Sequence, residues 1–115
     1  MAVTTIWHNP RCSKSRQTLA LLHDLGIDPS IRLYLRDLPS EAEIRAALAA
    51  LGGPATGLLR TGETLFKELG LTTDMDEVTL IAAMAAHPAL IERPLVVNGT
   101  RARLGRPPEA VLDLF

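Results

Sequence analysis

The run Leu95-Val96-Val97-Asn98-Gly99-Thr100, continuing to Leu104, constrains the fold more than any other part of the chain. Apolar residues flank Asn98-Gly99, a pair whose backbone freedom suits a two-residue hairpin turn, so an antiparallel strand pair is predicted here. The other elements must be arranged around that pair. Val3 to Trp7 is a β-branched and aromatic run that reads as a strand and stops at His8-Asn9-Pro10. From Ser13 the spacing turns helical, with Leu19 and Leu22 on one face and Gly26 closing the helix. Ser30 to Leu35 alternates as a second strand until Asp37-Leu38-Pro39. Strand, helix and strand make a βαβ unit, and joining it to the hairpin gives a small mixed sheet covered by helices.

Between the two halves of that sheet the pattern is helical. Ser40 with Glu43 forms a capping-box signal before Ile44, Ala47, Leu48 and Leu51, and Gly52-Gly53-Pro54 ends the run. Residues 54–75 carry no clear period; residues 57–62 read as a turn and Glu63 to Leu69 as one or two helical turns. Asp74 with Glu77 predicts a cap for a helix bearing Val78, Ile81, Met84 and Ala85, ended by His87-Pro88. Pro107-Pro108 opens a last helix through Leu114. A length of 115 residues without repeats or linkers implies one α/β domain spanning residues 1–115.

Composition removes several function classes. With 47% hydrophobic and 22% charged residues the chain is not a disordered tail. A net charge of -1 supplies no bulk field for nucleic acid, and 3% aromatic content is too little for a base-stacking platform. The longest apolar run, Leu80 to Ala86, is far short of the ~18 residues that span a bilayer, and no basic segment followed by an apolar one opens the sequence. A soluble cytoplasmic protein is expected. One cysteine, Cys12, excludes an internal disulfide and a zinc site built mainly on thiolates, so no metal is expected.

Cys12 lies where the first strand hands over to the first helix. The helix start offers unsatisfied N–H groups, Ser13 and Ser15 offer hydroxyls, and His8, Arg11, Lys14 and Arg16 offer positive or potentially positive charge. Free cysteine, with a pKa of about 8.5, is only a few per cent thiolate at neutral pH; surroundings like these make the thiolate the major form. The alternative is a cysteine that merely packs in the core, and burial among cations argues against it. Histidine at a strand end is either an ordinary surface side chain or a group that tunes the thiol, and both readings of His8 stay open. In cysteine-dependent phosphatases an arginine closes the loop at the position held here by Thr18, so that loop is absent. A paired-cysteine redox motif would need a second thiol at Ser15, which leaves a monothiol route.

Several separated blocks resemble the glutathione- and glutaredoxin-dependent arsenate reductase family over residues 6–114. They are His8-Asn9-Pro10 with Cys12, Ser15 and Arg16; Leu58-Leu59-Arg60; His87-Pro88 through Ile91, Arg93-Pro94 and Val96-Val97; and Arg103-Leu104 with Arg106-Pro107. The resemblance implies a thioredoxin-like fold with a helical insertion. It implies Cys12 as nucleophile, with His8 and Ser15 completing the catalytic set, Arg16 stabilising the thiolate, and Arg60, Arg93 and Arg106 binding the oxyanion. Guanidinium groups suit that part, since their forked donors match a tetrahedral oxyanion in a way that lysine cannot. Pro94 matches the cis-proline of thioredoxin-like folds. Arg11, Ser13 and Lys14 make the first loop more basic than is usual in the best-known arsenate reductases, and resemble a branch of the family assigned to arsenate by similarity alone.

The expected chemistry is attack of the Cys12 thiolate on arsenate, then reduction by glutathione as co-substrate through a mixed Cys12–glutathione species, with glutaredoxin as partner restoring the thiol. No bound cofactor is required, and a monomer is expected. Two other readings remain: a monothiol, glutathione-linked disulfide oxidoreductase, and a non-enzymatic regulator that binds RNA polymerase.

Overall fold

Four strands form one sheet: β1 (Thr4–Trp7), β2 (Ser30–Arg32), β3 (Leu95–Asn98) and β4 (Arg101–Leu104). Their order is β2-β1-β3-β4. β1 runs parallel to β2 and antiparallel to β3, and β3 runs antiparallel to β4, so the sheet is mixed as the element order requires. Ile6 stands opposite both Ile31 and Val96, which sets the register around the centre of the sheet. The computed structural model describes residues 3–115. Their contacts gather into two units, one containing the chain up to Asp37 with Arg93–Phe115, the other Leu38–Glu92.

The first unit contains the sheet, helix α1 (Ser13–Asp24) and a final 3₁₀ segment (Pro108–Leu114). Its core joins Ile6, Val96, Leu22 from α1, and Val111 and Leu114 from the final segment, with Leu19, Leu21 and Ile27 packed against them. Burying each such aliphatic side chain contributes about 1.5–3 kcal/mol. Helix α1 ends in a Schellman motif: the Ile27 N–H donates to the Leu22 carbonyl and the Gly26 N–H to the His23 carbonyl, both at 2.9 Å. Gly26 takes φ +76°, a conformation that side chains resist.

The second unit is helical and lies in sequence between β2 and β3. It contains α2 (Glu41–Leu51), α3 (Thr64–Glu68), α4 (Glu77–Ala86) and short 3₁₀ turns. The capping box forms as read: Ser40 Oγ accepts from the Glu43 N–H and the Glu43 carboxylate accepts from the Ser40 N–H, both at 3.1 Å. α2 packs on α4, burying Ile44, Ala47, Leu48, Leu80, Ile81 and Met84. The fold class is therefore the expected one, a thioredoxin-like α/β chain carrying a helical insertion. No helix among the described residues is long and apolar enough to cross a membrane.

Four local expectations are corrected. The second strand stops at Arg32, because the Arg36 and Asp37 N–H groups both turn back to the Leu33 carbonyl at 2.9 Å. The hairpin loop is Gly99-Thr100, since Asn98 pairs with Arg101. Gly99 has φ +64° and no non-glycine residue described has positive φ, which is the sign pattern of a type II′ turn. α4 is capped by Asp76, whose side chain accepts from the Thr79 N–H at 2.8 Å, whereas Asp74 bonds the Thr72 hydroxyl. The last helix, Pro108–Leu114, is 3₁₀ rather than α, with Pro107 as its N-cap.

Candidate active site

β1 delivers the chain to the site. The His8 N–H donates to the Arg32 carbonyl at 2.8 Å, extending the strand pairing by one residue. The chain then reverses: the Cys12 N–H donates to the Asn9 carbonyl, and Asn9 Oδ1 accepts from the Arg11 N–H, both at 3.0 Å. That second bond is an Asx turn, the local bond that asparagine makes two residues ahead. Cys12 takes extended φ and ψ of -91° and 123° as the N-cap of α1, and its carbonyl accepts from the Arg16 N–H at 3.0 Å. The thiol is partly exposed and reduced.

Partial burial of Cys12 raises its pKa, but opposing groups win and hold the thiol below its ordinary value. The Ser15 amide, the positive charge of Arg93, the Lys14 amide and a hydrogen bond from the Arg93 side chain all favour the thiolate. The helix start therefore acts as read, through the amides of Lys14 and Ser15. The cation that lowers the thiol pKa comes from outside the first loop. It is Arg93, just before β3, that reaches the sulfur, while Arg16 Nη1 donates to the Pro10 carbonyl at 2.9 Å. Arg93 thus joins the helix-start amides in stabilising the thiolate.

Ser15 is fully buried and ties the loop together. Its Oγ lies 2.6 Å from His8 Nδ1 and accepts from the Asn9 N–H at 3.0 Å. Burial of His8, with Arg16 second, lowers the imidazole pKa from its ordinary value. That lowering favours the neutral imidazole at pH 7. Its ring nitrogen serves to hold the Ser15 hydroxyl.

Arg93 and Arg106 are brought together. Arg106 Nη1 donates to the Arg93 carbonyl at 3.2 Å, and each arginine precedes a cis-proline, Pro94 and Pro107. Between them, the Gly105 N–H donates to the Pro94 carbonyl at 2.9 Å. Gly105 is buried against Thr18 and Pro94 so closely that a methyl group would fall within 2.8 Å of Pro94 Cγ. Thr18, where a phosphatase loop would carry arginine, instead donates to the Lys14 carbonyl at 2.8 Å. Arg60 belongs to the second unit. Its guanidinium pairs with Glu63 at 3.0 Å and with Glu92 at 3.9 Å, and its backbone N–H donates to the Leu90 carbonyl at 2.7 Å. Among the described residues, no group of three or more His, Cys, Asp or Glu side chains is placed to hold a metal.

A family profile described as the ArsC family matches residues 7–114. The chain belongs to the ArsC family. An arsenate reductase of Haemophilus influenzae is 47% identical over 112 residues, covering 96% of this chain and 97% of the relative. The protein YfgD of Escherichia coli, which bears no assigned activity, is 49% identical over 111 residues, 95% of this chain and 93% of its own. The solved structure of an arsenate reductase from Vibrio cholerae superimposes with a TM-score of 0.95 at 46% identity, covering 99% of this chain and 98% of that one.

Within this ArsC-family chain, Cys12, His8, Ser15, Arg93 and Arg106 all lie in the first unit, as do Arg16 and Pro94. Sequence reasoning missed the work of Asn9 in shaping the loop and that of Gly105 beneath Pro94. The Asn9-Pro10 pair, one residue removed from the cysteine, was the available signal for the first. Nothing in the sequence marks the second, because a close approach between residues so far apart in the chain is visible only in the fold.

Proposed function

We propose that this ArsC-family protein reduces arsenate to arsenite with Cys12 as nucleophile. The observation that carries the reading is the Arg93 guanidinium on the Cys12 sulfur, at a helix start that also presents the Lys14 and Ser15 amides. The arsenate reductases among its relatives support the substrate. In the first step the Cys12 thiolate attacks arsenic(V); an S–As bond forms and one oxygen leaves as hydroxide or, once protonated, water. Arg93 and the neighbouring Arg106 neutralise the oxyanion and hold it beside the sulfur. The part given to Arg60 rests on the sequence resemblance alone.

Glutathione, as co-substrate, then attacks the Cys12 sulfur through its thiolate. An S–S bond forms, the S–As bond breaks, and its electron pair stays on arsenic, which leaves as trivalent arsenite. Two thiols have thereby supplied the two electrons. A glutaredoxin thiolate next attacks the glutathione sulfur of the mixed disulfide and returns Cys12 to the thiolate. Ser15, standing where a second cysteine would be needed, makes an external thiol obligatory. The reaction needs no bound cofactor and no partner subunit, and its reductants are those of a cytoplasmic protein.

Arsenite formation by the purified protein with glutathione and glutaredoxin tests the reading. Turnover is expected to vanish in Cys12→Ser and to fall sharply in Arg93→Ala and Arg106→Ala. The pairing of Arg60 with two carboxylates favours a second reading, a monothiol disulfide oxidoreductase that handles no oxyanion. In that case Arg106→Ala leaves turnover with a glutathione mixed disulfide unchanged, and arsenate does not protect Cys12 from alkylation.

A further inference from the structure

A groove of about 750 Å³ opens on the first unit, walled by Pro10 and Arg11 from the loop before Cys12 and by Leu33, Leu35 and Arg36 from the turn after β2. It falls within the usual ~300–1,000 Å³ range of small-ligand sites. The turn that ends β2 early creates its far wall. With the chain folding back at Leu33, Tyr34 is buried while Leu33 and Leu35 stay 36% and 42% exposed. Two leucines left at the surface beside a proline give the groove an apolar floor.

Its charge is one-sided. No carboxylate lines it, and the nearest acid in sequence, Asp37, is taken by Arg32 at 3.4 Å. His8, at the inner end, favours its neutral form. Among the described residues, neither Arg11 nor Arg36 has an acidic partner. The groove is therefore a short apolar trough with a cation on each wall, ending one residue before the cysteine.

We propose that this groove seats glutathione, one carboxylate on Arg11 and the other on Arg36, so that its thiol faces the turn carrying Cys12. The inference rests on the reading of Cys12 chemistry above, which calls for a small thiol from outside the chain. Glutathione has two terminal carboxylates flanking a central thiol, and arginine pairs carboxylates with two parallel hydrogen bonds. Leu33 and Leu35 lie against the peptide between those ends. The basic loop residue Arg11 thereby acquires a part distinct from acidifying the thiol: it selects the reductant.

Calorimetric titration with S-methylglutathione, which keeps both carboxylates and cannot reduce, tests this without turnover. Wild-type protein binds it, Arg11→Ala and Arg36→Ala each weaken binding about threefold to fivefold, and the double variant weakens it about tenfold or more, as expected for solvent-exposed ion pairs. Both side chains are exposed, so folding is not at stake. Glutathione diethyl ester, with its carboxylates blocked, binds wild type no better than the double variant binds S-methylglutathione. Absence of binding to wild type, equal affinity across the variants, or equal binding of the ester overturns the inference. If S-methylglutathione binds through Arg11 and Arg36 but no arsenite forms with glutathione and glutaredoxin, the arsenate reading fails and the groove stands.

Discussion

Gly105→Ala places a methyl group against two packed neighbours, Thr18 and Pro94. The added methyl group falls on the Thr18 hydroxyl, inside any allowed contact distance, and lies 2.8 Å from Pro94 Cγ and 3.0 Å from Thr18 Cγ2. Carbon atoms meet favourably at about 3.5–4.0 Å, so both neighbours must move by most of an ångström. Neither is free to do so: Thr18 is buried and bonded to the Lys14 carbonyl, and Pro94 is buried with its carbonyl held by Gly105 itself. Overpacking of this kind costs about 1–3 kcal/mol, and two rigid neighbours place it near the top, about 3 kcal/mol. For a chain of this size that lowers Tm by about 12 °C. Thr18→Ala removes two of the three close contacts at a cost of about 1 kcal/mol for the lost hydrogen bond. The double variant should then recover about 1.5 kcal/mol relative to additivity. Urea unfolding followed by the fluorescence of Trp7, the single tryptophan, reads the first unit directly. A Gly105→Ala midpoint unchanged from wild type, or strict additivity with Thr18→Ala, refutes the reasoning.

Alkylation of Cys12 against pH should show a half-point below that of free cysteine. Arg93→Ala should raise it, because both the charge and the hydrogen bond of that side chain favour the thiolate. Ser15→Ala strands the half-buried Asn9 N–H and the buried His8 Nδ1, and urea unfolding should show a loss of about 1–3 kcal/mol. His8 titrates lower in the folded chain than in the unfolded one, so below pH ~6.5 the unfolded state binds the extra proton first. Stability should therefore fall as pH drops through that value, down to the folded pKa, and His8→Gln should flatten the fall in a pH series of melting curves. Ser40→Ala breaks the capping box of α2 and should cost about 1 kcal/mol in the same unfolding assay.

The elements legible in the sequence are those whose signal is local. The Ser40–Glu43 box, the strand ending at His8-Asn9-Pro10 and the hairpin around Gly99 each depend on residues a few positions apart. Ser30 to Leu35 misled because alternation continues past Arg32 while the backbone has already turned: Tyr34 is buried and its two neighbours are exposed, as a strand would also have them. Residues 54–75 were opaque for a different reason. Leu59 bridges Ile91, and Leu58, Arg60, Leu90 and Glu92 exchange backbone bonds across about thirty positions of chain, a tie with no periodicity to read. At the site the sequence concentrated the cations around Cys12, and proximity along the chain favoured Arg11, Lys14 and Arg16. The fold brings in Arg93 from the edge of β3, where only the family resemblance had marked it, and marked it for another task.

Ser15 carries a further consequence. One residue lends its amide to the sulfur, bridges an imidazole and an amide with its hydroxyl, and has no exposed surface. Installing a thiol there, as a self-sufficient dithiol catalyst requires, swaps a strong bridging group for a weak one in a sealed position and loosens the corner that activates the nucleophile. Evolving intramolecular resolution would thus require the sealed contacts of the Ser15 hydroxyl to be rebuilt. Dependence on borrowed electrons is thereby anchored in the architecture, and the lineage can vary its donor more cheaply than it can do without one.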